Sequence, residues 1–158
     1  MPRENREMLG SAKFGSGAAL LGAWGFYQVL IGLYFILLRP SFLPEYMRAS
    51  STTLEAVRSA APGMEAWLQW VFVVLGGQMA ALGVLVVGGA FSILRGRRPG
   101  RVEMGAYVAA GFLSVALMSG VNFALVSDFR WVLVTPVILW LAAIILLQRR
   151  AFGSAPTW

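Results

Sequence analysis

Residues 14–38 carry no charged side chain, and that run limits the fold more than any motif in the chain. About 20 apolar residues in a helix cross the ~30 Å hydrocarbon core of a bilayer. Three further runs follow, so spans are expected at about residues 15–38, 67–94, 104–126 and 131–147. A membrane barrel needs strands of only about 9–11 alternating residues, and these runs are longer and do not alternate. In hydrocarbon every backbone N–H and C=O needs an internal partner, which a helix supplies for itself. The expected fold is all-α: an integral membrane four-helix bundle, one domain over residues 1–158, with a short extra helix in its outer loop. Composition agrees, at 13% charged residues against about 25% in soluble domains. The first run is expected to remain as a span, because it exceeds a signal-peptide core and no small-x-small cleavage site follows it.

The segments between the runs set direction. Arg39, Pro40 and Pro44 end the first run and open a polar loop over residues 39–65. Within it Thr52 and Glu55 match a capping box, Leu54 and Val57 keep helical spacing, and Pro62-Gly63 closes the stretch. The pattern predicts a surface helix at about 53–61. Trp67 and Trp70 open the second span at headgroup depth, where aromatic rings collect. Pro136 after Thr135 is expected to kink the fourth span. One side of the membrane carries nine basic residues (Arg3, Arg6, Lys13, Arg95, Arg97, Arg98, Arg101, Arg149, Arg150) and the other carries four (Arg39, Arg48, Arg58, Arg130). The positive-inside rule places the nine, and both termini, in the cytoplasm. Twelve Arg against one Lys, with abundant Ala, Gly and Val, point to a GC-rich bacterial genome, and the expected location is the bacterial inner membrane. Topology accounts for the basic excess, so nucleic acid is not expected as a partner.

Chemistry is sparse. The chain has neither Cys nor His, which excludes disulfides, thiolate nucleophiles and imidazole ligands, and no cofactor, metal or catalytic residue is expected. None of the spans holds a charge, the usual mark of proton relays, ion pathways and voltage sensors. The polar groups that remain are the amides Gln28, Gln78 and Asn122, expected to face the interior and to meet in the outer half of the bundle. Two readings stand. The amides bridge helices at about 0.6 kcal/mol each, or they line a pocket for a polar-headed ligand together with the hydroxyls of Tyr27 and Tyr34. Trp24, Phe26, Tyr27, Tyr34 and Phe35 load the first span with rings, suited to core filling or to stacking a flat lipophile. Glycines crowd the spans for close helix approach; no clean GxxxG occurs within any span, and Gly105-xxx-Ala109 is the nearest match. Arg95, Arg97, Arg98 and Arg101 suit anionic lipid head groups as well as topology.

A Gly- and aromatic-rich first helix, Leu-Arg-Pro leaving it, a capped outer segment and the Gly-rich VFVVLGGQMAALGVLVVGG together resemble small bacterial four-helix membrane proteins of the DoxX-like kind, over about residues 17–147. Members linked to thiosulfate and quinone chemistry imply a membrane subunit beside a catalytic partner, yet no residue here matches a catalytic motif that could be carried over. Three functions remain open: a non-enzymatic accessory subunit or small lipophilic-ligand-binding bundle, a carrier or channel for a small neutral or lipophilic solute, and a membrane subunit of a quinone-linked redox enzyme. The expected partners are the lipid bilayer, a membrane protein or second copy, and a small lipophile.

Overall fold

The computed structural model describes the backbone of residues 3–151 and the side chains of residues 15–149. The side chains of Arg3, Arg6, Lys13 and Arg150, part of the topology count, lie outside the described residues. Among the described residues all regular structure is helical. In order come α1 (Arg3–Leu37), α2 (Pro44–Ser50), α3 (Leu54–Ala60), α4 (Met64–Leu94), α5 (Arg101–Gly111), a π-helical turn (Phe112–Ala116), α6 (Leu117–Ala124) and α7 (Val134–Ala151). Among the described residues three stretches are long and apolar enough to cross a membrane: Gly15–Leu37, Met64–Leu94 and Arg101–Ala124. The apolar part of α7, Val134–Arg149, is shorter. α4 shows why lipid is the solvent. It buries Gly76, Gly83, Val86, Ala90 and Ile93 while Val74, Val84 and Leu85 stand 61–74% exposed. A helix apolar all round has no side to offer water.

Helix ends follow local chemistry. After α4 the chain turns at Gly96 with φ +94°, and Gly96 N–H bonds Ile93 O at 2.9 Å while Arg97 N–H bonds Ser92 O at 3.2 Å. That is a Schellman pair, which favours a left-handed glycine. α6 ends with the same pair, Val126 N–H to Phe123 O and Ser127 N–H to Asn122 O, but with Val126 at φ +52°. A β-branched residue there is strained. α7 starts at Val134, so Pro136 falls in the first turn, where N–H groups have no intrahelical partner. The proline begins a helix, correcting the expected kink.

The loop over residues 39–65 holds two helices where one was expected. α3 is capped by Thr53, whose hydroxyl accepts from Ala56 N–H at 3.1 Å, and not by Thr52; the capping-box reading was one residue out. α2 begins on Pro44 with Glu45 in its first turn, a start signal hidden behind Pro44's reading as a breaker. Glu45 is 4% exposed and accepts from Ser127 Oγ at 3.1 Å, tying α2 to the turn before α7. Exposed pairs Arg58–Glu65 at 2.9 Å and Arg48–Asp128 at 3.5 Å add little stability at a surface, although the Glu65 carboxylate holds the Arg58 guanidinium above its usual range.

α1 is central, packed along α4 and against α7. Gly25 of α1 faces Gly83 of α4, and Gly32 faces Gly76: a Cβ on Gly32 would lie 2.6 Å from Gly76 O and from Ala80 N, and one on Gly83 would lie 2.6 Å from Gly25 O. Backbone meets backbone along this seam. Elsewhere glycines receive rings, with Gly89 against the Tyr107 hydroxyl and Gly111 against the Trp140 indole. The buried core, including Leu21, Trp24, Val86, Ile93, Met104, Trp140 and Leu147, lies toward the end that carries the 95–101 turn. In lipid such packing holds helices together, since the tails are as apolar as the side chains.

Candidate functional site

The three amides separate. Gln28 is wholly buried, at the outer edge of the core one turn above Trp24. Gln78 is exposed on the outward face of α4. Asn122 is half-buried and its Nδ2 donates to Met118 O at 2.9 Å, one turn back on its own helix. This corrects the expected convergence: within one copy the chain does not bring Gln78 to Gln28, because Gly76, Gly83 and Val86 take the buried face of α4 and residue 78 falls on another.

Gln28 nevertheless heads a distinct polar layer. Neither its Oε1 nor its Nε2 has a protein hydrogen-bond partner, and the buried Trp24 Nε1 and Tyr27 hydroxyl also lack one. All four atoms sit within about one turn of α1, and buried polar atoms in proteins are nearly always bonded. Tyr34, half-buried two turns further on, stacks edge-on against Phe35, ring centroids 6.0 Å apart, and stands apart from the layer. Sequence reasoning found Gln28 and Tyr27 and left Trp24 as a ring; its indole N–H was the missed signal. At the depth of Gln28, counted along each helix, lies the π turn, where Leu117 N–H reaches back five residues to Phe112 O. Such turns recur at functional sites.

A second cluster was not foreseen. Arg39, only 9% exposed, places its guanidinium 3.6 Å from the Phe72 ring centroid and 4.6 Å from that of Phe35. Its Nη2 donates to the Tyr46 hydroxyl and its Nη1 to Pro40 O at 3.4 Å. Rings on α1 and α4, with the Tyr46 oxygen, take the place of a carboxylate. Beside it, α2, α3 and the start of α4 enclose a groove of about 470 Å³ walled by Phe42, Tyr46, Met47, Leu68 and Phe72.

The basic turn divides its arginines. Arg95 lies 4.2 Å over the Phe91 ring. Arg97 makes a forked pair with Glu103 at 2.6 and 2.8 Å, which holds its guanidinium above the usual range, and Glu103 also accepts from the Tyr107 hydroxyl at 2.8 Å. Arg98 and Arg101 are exposed. Among the described residues no cluster of three or more acidic groups offers a metal site. No family model, curated protein or solved structure matches this chain.

Proposed function

We propose that the chain is a non-enzymatic protein of the bacterial inner membrane, crossing it four times as a helical bundle with both termini in the cytoplasm, and that it holds a small lipophilic ligand against Gln28. The observation that carries the reading is the Gln28 amide, wholly buried with neither polar atom bonded. A leucine would fill similar space without the desolvation cost, which is about 1–3 kcal/mol for an unpaired group. An amide kept in that position is accounted for by an outside group that completes it. Trp24 Nε1 and the Tyr27 hydroxyl add donors on the same turn, so the ligand is apolar with a carbonyl or hydroxyl acceptor. The layer is closed here, and side chains must part for the ligand to enter. At 18 residues α7 is about 27 Å long, which supports the fourth crossing. A carrier would want a polar path, and Gln78 and Asn122, turned elsewhere, do not extend one from Gln28.

The test is extraction of small molecules from the purified protein. Wild type should retain a lipophile that Gln28→Leu loses while keeping its helical content and a single elution peak. Equal retention by both proteins, or none by either, defeats the reading.

The accessory-subunit reading rests on Gln78. An amide facing hydrocarbon is relieved when a neighbouring helix bonds it, so a membrane protein or second copy belongs on that face of α4. Because the chain lacks cysteine, Gln78→Cys gives one clean cross-linking handle in membranes; cross-linking no better than from an exposed position on α7 counts against a partner there.

A further inference from the structure

The polar layer on α1 is short of more than one kind of partner. Its buried atoms without a protein hydrogen bond are Trp24 Nε1, the Tyr27 hydroxyl, and Gln28 Nε2 and Oε1. Trp24 stands three residues before Tyr27 and four before Gln28, so the indole lies beside both on one side of the helix. An indole N–H gives one hydrogen, a phenol gives one and can also accept, an amide NH2 gives two, and an amide oxygen only accepts. Donors prevail, and an oxygen on the ligand answers them. Gln28 Oε1 is the exception. The donors nearest to it along the helix, Trp24 Nε1 and the Tyr27 hydroxyl, leave it unbonded. A ligand that brought only an acceptor would keep Oε1 buried and unpaired, the state that polar groups in protein interiors avoid.

Charge narrows the ligand further. None of the apolar runs at 15–38, 67–94, 104–126 and 131–147 holds a charged residue, and the side chains beside the layer, Val86 against Gly25 and the buried Leu21 one turn before Trp24, are apolar. A charged head group brought to this depth would give up its water and meet no opposite charge, so the head group is neutral. The Gln28 amide carries its acceptor and its donors side by side on one carbon. A head group with the complementary pair on one carbon meets both through two parallel hydrogen bonds, whereas ketones, esters and ethers can only accept.

Resting on the reading that the Gln28 layer holds a ligand, we propose that the ligand's head group is a primary carboxamide or an un-ionised carboxyl. Its carbonyl accepts from Gln28 Nε2 and from Trp24 Nε1, and its N–H or O–H donates to Gln28 Oε1.

Native mass spectrometry of the whole protein in mild detergent, with oleamide, N,N-dimethyloleamide or methyl oleate added, tests it. The three share a tail, and only oleamide has N–H groups. Wild type should hold oleamide at least about tenfold more tightly than either of the others, the effect of one buried group left unpaired. Gln28→Leu should bring the three affinities together while keeping the protein's helical content, and Trp24→Phe should weaken oleamide and its dimethyl form alike and keep the ratio between them. Oleic acid supplies the carboxyl arm: it should bind in its un-ionised form and be released as rising pH ionises it. The dimethyl amide or the ester held as tightly as oleamide by wild type overturns the proposal; if Gln28→Leu then releases all three, the ligand reading of Gln28 survives. Oleate held as firmly as the un-ionised acid overturns it too, as does a preference for oleamide that Gln28→Leu leaves unchanged. Binding of no probe also overturns it, and defeats the Gln28 reading only if wild type retains no lipophile on extraction.

Discussion

The α1–α4 and α5–α7 seams use the same residue for opposite ends. Along α1–α4, Gly25 and Gly32 meet Gly83 and Gly76 with backbone against backbone, and nothing fits between. Along α5–α7, Gly111 yields its space to the Trp140 ring while Gly105 faces nothing. A glycine closes a seam when another glycine lies opposite at the same level; it opens one when a ring wedges the helices nearby. The first arrangement gives a rigid pair, held by many small contacts over several turns. The second depends on one aromatic anchor, the Trp140 indole against Gly111.

The comparison breaks most readily at Gly32. Gly32→Leu puts a side chain where even a Cβ would lie 2.6 Å from backbone atoms of α4, and backbone cannot step aside as a side chain can. Overpacking in cores costs about 1–3 kcal/mol and sometimes more; here the loss should exceed ~3 kcal/mol, seen as failure to purify a monodisperse protein. A folded Gly32→Leu variant of near wild-type melting temperature would mean the helices are not in backbone contact. Next comes Trp140→Ala, which removes the anchor of the other seam and its bond to Tyr107 O. A loss of about 3 kcal/mol is expected, with Trp140→Phe losing about 1 kcal/mol for the hydrogen bond alone. Should Trp140→Ala melt like wild type, α7 is held by α1 and not by the indole.

How much of this was legible in the sequence depends on what kind of signal each residue sends. Long uncharged runs announce helices directly, and the three long apolar helices follow from them. The α1–α4 seam was also written there, as Gly25-x6-Gly32 and Gly76-x6-Gly83, but a search at four-residue spacing passes over a pair two turns apart. Which face of α4 is buried was less readable, because that helix is apolar on every side; Gln78 was accordingly expected inside and stands outside. Trp24 read as a ring, and only the fold shows that its indole N–H lacks a partner where the Tyr107 hydroxyl and the Trp140 N–H each have one. The end of α6 could not be read at all, since the left-handed position there holds Val126 and not glycine.

A smaller effect separates packing from polarity on α1. Gln28 lies three residues after Gly25 and four before Gly32, on the same side of α1, but the two glycines are unchanged by its substitution, so their backbone contacts with α4 should stay in place. Gln28→Leu removes two unpaired buried groups and should raise stability by roughly 1–2 kcal/mol, read as a higher melting temperature in detergent without added ligand. A fall in stability would show that the amide has a partner inside the protein and would withdraw its role as a ligand handle.

The smallest expected effect is the sharpest test of the comparison, because one substitution made at both seams should differ in sign. Gly105→Ala adds a methyl that meets nothing within 4 Å, replaces a poor helix former with the best, and so should be neutral or stabilising by up to about 1 kcal/mol. Gly32→Ala gains the same propensity, but its Cβ lies 2.6 Å from Ala80 N and from Gly76 O, so the helices must separate by several tenths of an ångström along their whole contact. Propensity acts on one residue, whereas separation weakens every contact along the seam, so the loss should win and the melting temperature should drop. If both alanine variants rise together, the two seams are equally loose and the distinction drawn between them fails.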